Sequence, residues 1–273
     1  MLTMPADTSV SLASLGDGSN TQLWSCGTGH ILLMLHGWTL DHRSFIPQLS
    51  GLSGVAQCVA FDRRGFGLST ARPDLDREID DVAAIIDALG GAPVHLLGVS
   101  QGGRIALRFA SRYPHLLRSL ILQGAPLDGF APQEPASDQI PLQRYRSLLA
   151  DGDVDTFQAE WLAHPLMVAG VSDSAQQSAL REMLSMYRGQ DLLEGVASTA
   201  EFDVIAQLQT LACPVLTVCG ELETVARLET AKQIVSLAPR AQQVEISGAG
   251  HLCNLTHAAE YNAVLQRHLT AAD

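Results

Sequence analysis

Pro93-Val-His-Leu-Leu-Gly-Val-Ser-Gln-Gly-Gly-Arg104 is the stretch whose reading decides the fold, and it runs on into Ile-Ala-Leu-Arg-Phe-Ala110. Val94 to Val99 is a short apolar run of the length of a buried strand. Gly98-Val99-Ser100-Gln101-Gly102 matches G-x-S-x-G, and Ile105, Ala106, Phe109 and Ala110 then recur at helical spacing. Strand, tight turn and helix arrive in the order that a nucleophile elbow needs. A serine on so sharp a turn adopts strained backbone angles, so positions 98 and 102 must lack a Cβ to let strand and helix pass closely. Its Oγ is then exposed beside the first free N–H groups of a helix, where a developing negative charge is stabilised. A serine between glycines is by itself more often an ordinary turn. The flanking strand and helix are what point to chemistry.

Outward from the elbow, strands and helices alternate. Residues 8–25 alternate loosely around Gly16, Gly18 and Asn20, which suggests an antiparallel hairpin at a sheet edge. His30-Ile-Leu-Leu-Met-Leu35 is a buried strand that stops at His36-Gly37-Trp38, and a short helix follows over Phe45 to Leu52. Ala56 to Phe61 is the next strand, closed by the loop Asp62-Arg-Arg-Gly-Phe-Gly-Leu-Ser69. Ile79, Val82, Ile85, Ile86 and Leu89 mark an amphipathic helix ending at Gly90-Gly91. After the elbow helix come a strand over Ser119 to Gln123, another over Pro214 to Cys219, a helix over Val225 to Leu237, a strand over Gln243 to Ile246, and a closing helix over about Ala258 to Leu269. The pattern implies a mostly parallel eight-stranded sheet with helices on both faces. Residues 128–205 break it, carrying helical stretches such as Leu142 to Leu149 and Ser178 to Tyr187 but no strand run. They read as an inserted helical cap, with 1–127 and 206–273 forming the α/β core.

The chain has 273 residues, 47% of them hydrophobic, and a formal net charge of −12. That balance argues against nucleic acid or an anionic membrane surface as partner. Thirteen acidic residues and four arginines fall between Asp128 and Asp203, so most of the negative charge sits in the expected cap. No secretory leader is evident and no apolar run approaches the ~20 residues of a membrane span, so the expected location is cytoplasmic. Five scattered cysteines without C-x-x-C spacing read as buried free thiols. No His, Asp and Cys spacing supports a metal. The chain's one lysine, Lys232, rules out a P-loop, and no dinucleotide fingerprint opens the sheet, so no cofactor is expected.

The layout resembles the α/β-hydrolase superfamily over nearly the whole chain outside the cap. Four motifs carry the resemblance in order: His36-Gly37-Trp38, the Asp62–Ser69 loop, the serine elbow and Gly248-Ala-Gly-His251. It implies Ser100 as nucleophile and His251 as its general base, with His257 the local rival. It also implies a carboxylate after the strand that ends at Cys219. There the loop reads Gly220-Glu-Leu-Glu-Thr224, so the aligned acid is Glu223 where the family more often has Asp. Asp128, from the other strand end able to supply the acid, and Glu221 stay open as alternatives. The oxyanion hole would be the N–H groups of Trp38 and Gln101. His36 reads as a structural histidine, and the Asp62–Ser69 loop as a brace with an Asp–Arg interaction.

The implied reaction is cofactor-independent hydrolysis of a carboxylic ester or lactone through an acyl-enzyme, on a small-molecule substrate. The acidic cap and the lack of an obvious arginine anchor favour a neutral, fairly apolar substrate. The same scaffold carries carbon–carbon bond hydrolases, cofactor-free dioxygenases and non-catalytic ligand receptors, and these stay open. A carbon–carbon bond hydrolase would need basic groups for an acidic substrate, and few stand out here. Neither the acyl and alcohol parts nor the oligomeric state is legible.

Overall fold

The computed structural model describes residues 2–194 and 201–272. Residues 195–200 of the expected cap lie outside the described residues. Eight strands form one sheet: β1 (Ser9–Ser14), β2 (Asn20–Cys26), β3 (Ile31–Leu35), β4 (Gln57–Phe61), β5 (Val94–Val99), β6 (Leu117–Gln123), β7 (Val215–Gly220) and β8 (Ala241–Ile246). Their order across the sheet is β1-β2-β4-β3-β5-β6-β7-β8. β1 pairs antiparallel with β2, and β2 with β4, so the expected hairpin does form one edge. All other neighbours are parallel. The elbow strand β5 sits in the middle, between β3 and β6.

Period-two alternation sends successive strand residues to opposite faces. Leu33 and Leu35 of β3 enter one apolar cluster with helix α2 (Glu78–Ala88) and helix α3 (Gln101–Arg112). Leu32 and Met34 enter the other, with α1 (Ile46–Gly51), which is reached first along the chain, and the closing helix over Ala258–Ala272. This double burial is why the central strands read as continuous apolar runs, and it fixes the strand ends that carry the site.

Between β6 and β7 the described residues form the α-helices α4 (Leu142–Ala150), α5 (Val154–Leu162), α6 (Pro165–Val168), α7 (Ser174–Ser185), α8 (Gln190–Leu193) and α9 (Val204–Thr210). Tyr145, Phe157, Trp161, Met183 and Tyr187 from this segment build a third apolar cluster with Trp38, Phe66 and Leu252 from the loops at the sheet's edge. Helix α7 starts four residues before the periodic run at Ser178, because the Asp173 side chain accepts from the Ala175 N–H and caps it. Helix α9 is different from the rest of the segment: its Val204 and Leu208 pack with the α3 side of the sheet. Helix α10 (Val225–Leu237) occupies the span read from the sequence, followed by α11 (Cys253–Thr256) and α12 (Ala258–Ala272). All five cysteines are free, Cys213 half-buried and the rest buried.

Candidate active site

Ser100 sits between β5 and α3 with φ 53° and ψ −117°, a left-handed backbone that only Thr39 approaches among the other described non-glycine residues. Holding it costs about 1–3 kcal/mol, and the surroundings supply the restraint. The Ser100 N–H donates to the Gln123 carbonyl at 2.7 Å, tying the turn to the end of β6. A Cβ on Gly98 would lie 2.5 Å from the Gly102 carbonyl oxygen, and one on Gly102 would lie 2.6 Å from that of His36. Both elbow glycines are therefore required by close approach, as the motif implies.

His251 and Glu223 meet. The His251 Nδ1 lies 2.6 Å from Glu223 Oε2, with the two residues 4% and 7% exposed. A carboxylate accepts, so Nδ1–H donates to it, and in the neutral imidazole Nε2 is then the acceptor. Glu223 Oε1 accepts the Thr224 N–H at 2.8 Å, which fixes the carboxylate plane. Gln123 Nε2 donates to the His251 carbonyl at 2.8 Å and to Asn254 Oδ1 at 2.9 Å, pinning the histidine loop to the end of β6. Gly124 (φ +53°) forms the floor: a Cβ there would lie 2.5 Å from His251 Cε1 and 2.6 Å from Nδ1. Gln123 and Gly124 were missed by the sequence reading, although a glutamine ending an apolar strand run was visible.

The alternatives lie elsewhere. Asp128 accepts from Arg108 Nε at 2.6 Å and lies 3.1 Å from Arg104 Nε, with no contact to His251. Glu221 holds the Ser247 hydroxyl and the Gly248 N–H. The rival His257 bonds to Thr256.

His36 carries the loop before Trp38. Its Nδ1–H donates to the Gly37 carbonyl at 2.8 Å, and its Nε2 accepts the Arg63 N–H at 3.0 Å. Complete burial holds its pKa down at about 3, so the ring is neutral and structural. Arg63 links the loop to the elbow: its guanidinium donates to Glu78, to the His36 carbonyl and to Gln101 Oε1. One expectation needs correcting. Among the described residues Asp62 makes no ion pair with an arginine; it accepts from His42 and the Leu68 N–H, while Arg64 pairs with Asp81 and Asp17. Asp41, His42 and Asp62 form the cluster that most nearly matches metal-ligand spacing among the described residues. Their oxygens already hold His42, Leu68 and Arg43.

The Gln101 N–H is the first of α3 and has no acceptor within the helix. The Trp38 N–H has none among the described residues either. Both stand beside Ser100 in the cavity wall. The Trp38 indole packs against the helical segment between β6 and β7, edge-on to Trp161, and its Nε1–H donates to Asp191 at 2.7 Å.

Ser100 opens onto two spaces. One is a narrow apolar cleft of about 20 Å³ that it shares with His251, Leu40, Val99, Trp161 and Leu166. The other is a cavity of about 330 Å³ whose wall includes Arg64, Arg104 and Arg227. The sequence offers no obvious arginine anchor, whereas three arginines line this cavity. The helices bring Arg104 and Arg227 there, each four residues after Ser100 or Glu223.

The chain matches the family described as alpha/beta hydrolase fold over residues 30–258. It is 26% identical over 250 residues to a pimeloyl-[acyl-carrier protein] methyl ester esterase of Chromobacterium violaceum, covering 89% of this chain and 95% of that one. It is 27% identical over 274 residues to a 2-hydroxymuconate semialdehyde hydrolase of a Pseudomonas species, covering 94% and 92%. An esterase from Exiguobacterium antarcticum superposes with a TM-score of 0.81 at 20% identity, covering 95% and 99%, a likeness of fold. With the match spanning both the elbow and the histidine loop, this chain belongs to the alpha/beta hydrolase fold family.

Proposed function

We propose that this protein is a serine hydrolase of a carboxylic ester or lactone. The observation that carries the reading is the buried 2.6 Å contact between His251 Nδ1 and Glu223, with His251 and Ser100 on one apolar cleft. Nε2 of His251 would take the Ser100 proton as Oγ adds to the substrate carbonyl. The Trp38 and Gln101 N–H groups would receive the oxyanion. Collapse of that intermediate expels the alcohol, protonated by His251, and leaves an acyl-serine. Water, deprotonated by the same imidazole, then releases the acid. Glu223 would hold the ring in the correct tautomer throughout, and residues 128–205 would cap the site and exclude water.

The test is a panel of alkyl and p-nitrophenyl esters and lactones of graded length. Ser100→Ala should lower kcat by about ten-thousandfold or more on every substrate that is turned over. Turnover unaffected by Ser100→Ala would sink the reading. A second reading, hydrolysis of a carbon–carbon bond in an acidic ketone, gains from Arg104 and Arg227, which supply the basic groups it needs. An inert ester panel alongside cleavage of such a ketone would establish it.

A further inference from the structure

The cavity beside Ser100 is lined by Arg64, Arg104 and Arg227 and by Asp74, Glu78 and Asp191. Glu78 is paired with Arg63 and Asp74 with Arg77. Asp191 accepts from the Trp38 indole and from the Tyr187 hydroxyl. Arg64 is taken by Asp17 and Asp81. Arg104 lies 3.1 Å from Asp128, which also accepts from Arg108, itself 3.6 Å from Asp76. Arg227, half-buried on the first turn of α10, has no carboxylate within 4 Å among the described residues. A half-buried guanidinium without a partner is costly, and a planar fork of N–H donors is suited to a carboxylate.

We infer that Arg227, with Arg104, binds a carboxylate of the substrate, so that the preferred esters carry a free acid group on the side away from the apolar cleft. This rests on the ester-hydrolase reading and names its substrate class. Arg104 stands one turn beyond Ser100 on α3 and Arg227 one turn beyond Glu223 at the start of α10, and both line the same cavity. Burial disfavours the charge of both; at Arg227 the carboxylates of Glu223 and Glu134 act against this from a distance, and the nearby Arg104 adds to it. An incoming carboxylate relieves both effects. The negative cap does not oppose this at contact range. Of the acids in that segment, Asp191 lines the cavity and is held by Trp38 and Tyr187, while exposed ones such as Asp151 and Asp155 act through solvent and are screened beyond about 8 Å. Reaction is unchanged by the acid group: water and the methyl ester give methanol and a second carboxylic acid.

The experiment compares monomethyl esters of straight-chain dicarboxylic acids from four to eight carbons with the matching dimethyl esters. For wild type, kcat/KM for at least one monoester should exceed that of its diester by about tenfold or more. Arg227→Gln should lower that ratio by about tenfold, through KM, and Arg227→Lys should restore part of it. Arg104→Gln should lower it by a smaller factor. A ratio at or below one across the wild-type series overturns the inference, as does a ratio indifferent to both substitutions. Ser100-dependent diester hydrolysis in that case leaves the hydrolase reading intact. Should no methyl ester turn over, calorimetry on Ser100→Ala still decides. Tighter binding of a monoester than of its diester, weakened tenfold by adding Arg227→Gln, supports the subsite; equal binding overturns it.

Discussion

Glu223 illustrates how much can hang on one methylene. The loop after β7 holds its carboxylate at the imidazole of His251, while Asp128 is held by Arg104 and Arg108 of α3. Glu223→Gln should therefore lower kcat for esters by about a thousandfold, since the amide can favour the wrong imidazole tautomer. Asp128→Asn should leave kcat within about threefold of wild type. The reverse pattern, read from initial rates on one neutral ester, would move the acid to Asp128. Gly124 gives a sharper test of geometry. An alanine there must adopt φ near +53° and push its methyl into the His251 ring. Gly124→Ala should cost about a hundredfold or more in kcat, as sub-ångström displacement of reacting groups does. Unchanged kcat in a protein with an unaltered melting temperature would show that the floor is not rigid.

At the level of elements, the cap helices and the loop after β3 are coupled through Asp191. Its two carboxylate oxygens receive the Trp38 Nε1–H at 2.7 Å and the Tyr187 hydroxyl at 2.5 Å, and burial raises the Tyr187 pKa so that it remains a donor. Since Trp38 also offers the backbone N–H beside Ser100, the latch positions part of the site through the cap. Asp191→Ala leaves two largely buried donors unsatisfied, each costing about 1–3 kcal/mol of closure. Proteolysis within 128–205 should become faster, and kcat/KM for esters should fall about tenfold. If neither changes, the latch contributes nothing to the closed state.

For the whole molecule, acid sensitivity should come from buried histidines that have no room for a proton. His268, buried on α12, has an Nε2 with no partner among the described residues, and burial lowers its pKa to about 4. His36 is lowered to about 3 by the same cause. Below pH 6.5 the unfolded chain binds these protons and the folded chain does not, so stability falls as pH drops from 6.5 towards 4. His268 alone accounts for about 2 kcal/mol at pH 5. His268→Leu should raise the melting temperature at pH 5 more than at pH 7.5, as followed by circular dichroism. An equal change at both pH values would mean that His268 does not titrate in the unfolded chain as assumed.

The strands along the chain and the elbow were legible from residues alone because each depends on local rules: apolar runs of strand length, helical spacing, and glycines where a Cβ cannot stand. Ser100 was marked by those rules, whereas His251 was named through the family resemblance of the Gly248-Ala-Gly-His251 loop. Glu223 could be aligned but not separated from Asp128 by sequence, since both lie at strand ends that can reach the histidine. Only the register of β6 against β7 and the pairing of Asp128 with two arginines distinguish them. The arginines of the cavity were illegible in the sequence for a similar reason. Counting acids in the cap describes the outer field. Which cations face the cavity is decided when α3 and α10 dock on the sheet, and that docking turns Arg104 and Arg227 towards Ser100. Periodicity is a property of neighbours along the chain, whereas a binding surface is made by residues more than a hundred positions apart.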